Sequence, residues 1–114
     1  GPGNASALVF TGLFDDLSVA PDGGYAQDNK NSTTAPYAIP RGSGKGWYLY
    51  DPATNIITPK AGVVLVFKTA DAKYAKAEIL SYYKGAPAAP SNTTPDRYYT
   101  FRYLYQADGS TKLK

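Results

Sequence analysis

The stretch Arg97-Tyr-Tyr-Thr-Phe-Arg-Tyr-Leu-Tyr-Gln106 holds five aromatics, a Thr and a Leu, with no Gly or Pro. Flat and branched side chains suit a pleated, half-buried surface, so the segment is read as a β-strand around which the chain is built. Counted by twos, Tyr99, Phe101, Tyr103 and Tyr105 share one face, and Tyr98, Thr100, Arg102, Leu104 and Gln106 share the other. A strand with one wholly aromatic and one mixed face turns one side to a core and the other to solvent or a partner. Two earlier segments, Val63–Thr69 and Tyr74–Tyr83, have the composition and length to lie beside it.

Working outward, Gly62-Val-Val-Leu-Val-Phe-Lys-Thr69 is continuously β-branched and aromatic, as a central strand is. Thr69–Tyr83 is ambiguous. Its Ala, Lys and Glu residues favour helix by propensity. Yet Ala75, Ala77 and Ile79 alternate with Lys76, Glu78 and Leu80 at a period of two, which favours strand. Gly46-Trp-Tyr-Leu-Tyr50 is a short aromatic strand closed by Asp51-Pro52, and Asn55–Thr58 is a brief apolar one ending at Pro59. Lys84–Asp96, with three prolines, is a loop. Leu8–Thr11 reads as a first strand followed by a turn of helix. Ala20-Pro-Asp-Gly-Gly24 is a turn, and the polar, Pro/Gly-punctuated run from Tyr25 to Gly46 is a long loop of the kind that often carries function.

The totals agree with this pattern. The chain has 114 residues, 43% of them hydrophobic, with 11 Tyr, 11 Gly and 9 Pro. That composition predicts one all-β domain over 1–114, a twisted antiparallel sheet or small sandwich with a meander from Trp47 to Gln106 and few or no helices. The net charge of +3 is scattered, which argues against a nucleic-acid surface. No apolar run is long enough to span a membrane as a helix. No secretory signal is visible, and Gly1-Pro2 resembles a protease scar, a cut that could have removed a native signal or lipid-bearing Cys.

The motif order resembles that of the HmuY family. The resemblance rests on Gly46-Trp-Tyr-Leu-Tyr-Asp-Pro52, Pro59-Lys60, the run from Val64 through Thr-Ala-Asp-Ala-Lys-Tyr-Ala-Lys to Tyr82-Tyr83, and Tyr99-Thr-Phe-Arg-Tyr103. It covers about Gly46–Thr111, with residues 1–45 a shortened or divergent N-terminal part. It implies an all-β, lipid-anchored surface protein that captures haem or another tetrapyrrole and passes it to an outer-membrane receptor. It also implies turn plus strand for Thr69–Tyr83. Ala72 stands where the family has Gly, so a turn with positive φ there is strained.

The chain has no His, Met or Cys, so the usual iron ligands are absent and Tyr is the ordinary candidate that remains. Tyr37 and Tyr25 lie in the long loop, where Arg41 or Lys45 would pair with propionates. The alternative is that these tyrosines merely anchor the loop.

Enzyme chemistry is not expected. Histidine bases and cysteine nucleophiles are missing, and the nine carboxylates sit mostly in turns, where Asp makes local hydrogen bonds. No metal site is expected, since Asp22, Asp28 and Asn31 lack the regular oxygen spacing of a calcium loop. Lys45-Gly-Trp-Tyr-Leu-Tyr50 lacks the small fourth residue of the RNA-binding motif it superficially matches. The remaining aromatics exceed the needs of one small core. They therefore predict either a binding platform or cross-strand pairs that stabilise the sheet. The competing function is a non-haem binding or assembly module using that face or an exposed strand edge, with self-association as one form.

Overall fold

The computed structural model describes residues 3–114, among which there is no helix. Six strands form: β1 (Ser6–Thr11), β2 (Tyr48–Asp51), β3 (Ile56–Pro59), β4 (Val63–Lys68), β5 (Tyr74–Tyr83) and β6 (Asp96–Gln106). Four of them make one antiparallel sheet in the order β1-β4-β5-β6, and β2 and β3 make a separate hairpin.

The organising strand is β4. Its residues Val63–Val66 are all buried, as the unbroken apolar run requires of a strand covered on both faces. Val64 and Val66 join Leu17, Ala20 and Leu113 in the core, with Leu8, Phe10, Tyr74 and Leu104 packed against them. One sheet face is thus closed by the segment after β1 and by the C-terminal tail. The expected turn of helix after β1 is a single turn, in which the Leu17 N–H donates to the Leu13 carbonyl at 3.2 Å.

The expected meander divides before β4. Gly62 turns the chain at φ +72, and β4 pairs with β1, in the register Val9↔Leu65, rather than with β3. The β2–β3 hairpin instead docks on the end of β5, where the Ile57 N–H donates to Tyr83 Oη at 2.8 Å.

Thr69–Tyr83 is turn plus strand, against its helical propensity. Thr69 closes the turn through N–H to the Lys73 carbonyl at 2.7 Å, and its Oγ1 accepts from the Lys73 N–H at 2.9 Å. Ala72 sits at φ +61, the left-handed conformation in which Cβ meets its own backbone.

The last strand, β6, lies at the edge of the sheet, paired with β5 alone among the described residues. Every residue from Asp96 to Tyr103 is exposed, and Leu104 is its one contribution to the core. Its length and aromatic content mark it as the strand around which the chain is built. Tyr, however, suits a half-wet surface as well as an interior.

Candidate functional site

Two surfaces carry the residues that could bind. The first is the long loop. It is tied together by the Asn29 N–H to the Pro36 carbonyl and the Ala38 N–H to Asp28 Oδ1, both at 2.8 Å. The Gly42 N–H donates to Tyr48 Oη at 2.9 Å, which fixes the loop's end to β2. Glycine is required at Gly46, where a Cβ would collide with the Pro40 carbonyl.

Within this frame the Arg41 guanidinium lies 4.7 Å from the centre of the Tyr37 ring, and its Nη1 donates to Tyr37 Oη. Lys45 completes a hollow of about 270 Å³ with Thr34, Pro36, Tyr37, Pro40 and Arg41. That is just below the roughly 300–1,000 Å³ of pockets that enclose a small ligand, so the hollow would grip part of a larger molecule. Three of the four expected residues are therefore brought together.

Tyr25 is the fourth, and it does not line this hollow. It packs against the core, with its ring centre 5.9 Å from that of Tyr74. Its hydroxyl is buried without a hydrogen-bond partner. Burial, with smaller contributions from Tyr74 and Asp22, pushes its pKa up to about 12. A phenol so placed keeps its proton, which leaves Tyr37 as the accessible oxygen.

The second surface is the aromatic face of β6. Tyr99, Phe101, Tyr103 and Tyr105 are about half exposed or more, with Tyr103 at 68%. Opposite them on β5 stand Ile79, Ala77 and Ala75, paired with Phe101, Tyr103 and Tyr105. The small alanines leave the taller rings standing clear. The register between β5 and β6 shifts between Ile79 and Ser81, and beyond the shift Tyr82 meets Tyr99 at 5.2 Å in an edge-to-face contact. Trp47, carried in just before β2, closes the group at 5.8 Å from Tyr99 and 6.0 Å from Tyr82. Burial against these rings raises the pKa of Tyr82. The result is a stripe of rings from Trp47 to Tyr105, tightest at its Trp47 end.

Sequence reasoning missed Lys76. It lies on the core face of β5 with only 2% of its surface exposed. Its Nζ donates to the carbonyls of Phe14 and Leu17, the latter at 3.0 Å, and sits 4.2 Å from the Phe14 ring centre. Arg102, opposite Glu78, bonds that carboxylate at 2.6 Å and covers Phe14 from 4.3 Å. The period of two showed that Lys76 and Glu78 share a face. What it lacked was the segment Phe14–Leu17, whose unpaired carbonyls draw the ammonium inward.

Among the described residues, no group of three or more carboxylates converges into a metal-holding cluster. No described helix is long and apolar enough to cross a membrane. Compared with known proteins, the chain matches no family model and no curated protein.

Proposed function

We propose that this chain is an HmuY-like ligand-binding domain of the cell surface, with a binding rather than an enzymatic role. The observation that supports this reading is a convergence. The Trp-led strand, the tyrosine pair and the closing Tyr-Thr-Phe-Arg-Tyr strand are far apart in sequence. They nevertheless meet through Trp47, Tyr82 and Tyr99 in one aromatic group. Such a face stacks on a planar apolar ligand, for which haem or another tetrapyrrole is the natural occupant. Tyr37 would offer an oxygen to the iron, while Arg41 and Lys45 would meet the propionates. Delivery to an outer-membrane receptor and a lipid anchor follow from the same resemblance.

Adding haem to the protein tests the reading. The expected result is a shifted Soret band that Tyr37→Phe removes. An unchanged haem spectrum with the intact chain would overturn it.

The exposure of β6 on both faces favours a second reading, a non-haem binding or assembly module. In that case haem leaves the spectrum unchanged and the aromatic face instead serves a protein partner.

A further inference from the structure

Beta-strand β6 ends the sheet, and among the described residues no strand pairs with its outer edge. Natural edges are blunted by Lys, Pro, bulges or inward charges. Here the register shifts fall between Ile79 and Tyr83 of β5, so Phe101–Gln106 runs opposite Ile79–Tyr74 without interruption. The single charge in that stretch, Arg102, is turned back onto Glu78 at 2.6 Å and Asp15 at 3.5 Å. What remains along Phe101–Gln106 is an aromatic edge without Lys or Pro, whose one charge is held in ion pairs.

We propose that this edge pairs with the same edge of a second copy of the chain, antiparallel across a twofold axis at Tyr103. Facing residues in an antiparallel ladder must point to the same side, which limits the registers available. An axis at Arg102 would set two guanidiniums against each other. An axis at Tyr103 sets Tyr103 against Tyr103, Phe101 against Tyr105, and Arg102 against Leu104. All three aromatics then find aromatic partners, and no like charges oppose. The two sheets become one of eight strands, with a double aromatic stripe on one face.

The pairing is carried by the unpaired backbone groups along Phe101–Gln106. Only the edges of the Phe101, Tyr103 and Tyr105 rings meet across the seam, and their outer faces stay open. The pairing stands on the strand edge and is independent of whether haem binds.

Sedimentation velocity over a range of concentrations tests it. The wild-type chain should form a dimer, whereas Tyr103→Lys and Tyr103→Glu, each setting like charges face to face, should be monomers. Mixed in equal amounts, the two variants should pair again. Tyr103 is exposed, so neither change disturbs the core, and far-UV circular dichroism checks this. In a chain without cysteine, Tyr103→Cys should give a disulfide-linked dimer on oxidation. A wild-type chain that stays monomeric at its highest soluble concentration overturns the proposal. So does a Tyr103→Lys dimer, a mixture that fails to associate, or a Tyr103→Cys chain that does not cross-link.

Discussion

Lys76 and Tyr25 are the two residues whose surroundings least resemble what their side chains prefer. Lys76 gives up water for two carbonyls and the face of Phe14. Replacing it with Met keeps the stem but strands the Phe14 and Leu17 carbonyls. The expected loss is about 1–3 kcal/mol in urea unfolding. Burial lowers the Lys76 pKa below its usual 10.5. Between the lowered value and 10.5, the unfolded chain binds more protons than the folded one, so this residue makes stability rise with pH in that window. Tyr25 acts in the opposite direction. Its pKa is raised from 10.0 to about 12, so the folded chain keeps a proton that the unfolded chain has lost. Its contribution is complete below pH 10 and is lost as pH climbs toward 12. Tyr25→Phe should flatten that alkaline loss. It should also gain about 1 kcal/mol at neutral pH by removing a buried hydroxyl that has no partner. Unfolding curves of the two variants from neutral to alkaline pH check both signs.

The β4–β5 hairpin shows where the sequence was legible and where it was not. The period of two in Tyr74–Tyr83 outweighs a helix-forming composition because β4 and β6 supply partners on both sides. The strain expected at Ala72 is present at φ +61. Ala72→Gly should therefore raise stability by about 1 kcal/mol, read as a higher denaturant midpoint with an unchanged slope. Placement was harder to read than existence. Five of the six strands were legible from local pattern, and β5 was ambiguous there until the resemblance implied a strand, but the position of β6 at the edge depends on β1 returning to pair with β4. A contact between Leu8–Thr11 and Val63–Val66 leaves no local signature. That Tyr37, Arg41 and Lys45 come together was legible, because Pro and Gly confine them to a short span. Tyr25 was misplaced with them, since nothing in its neighbours signals a ring turned toward Tyr74.

Taken whole, the molecule packs Val64, Val66, Leu17 and Leu113 on one side of the sheet and stands the ring stripe of β6 on the other. The core face is sealed by Phe14, Leu17 and Leu113, while the β5–β6 half of the opposite face stays open. A domain stabilised only by its core would not need that second apolar surface. On the proposed function, a planar ligand binds along the ring stripe from Trp47 to Tyr105. Trp47 is the sole tryptophan and stands 5.8 Å from Tyr99, so its fluorescence reports on the stripe directly. The most direct measurement is a haem titration followed by Trp47 emission, in the wild-type chain and in a Phe101→Ser/Tyr103→Ser double variant. Quenching should saturate near one haem per chain, with an affinity about tenfold weaker in the double variant, as expected for two lost stacking contacts of roughly 0.5–1.5 kcal/mol each. Emission that does not respond to excess haem, or an affinity the double variant leaves unchanged, would contradict it.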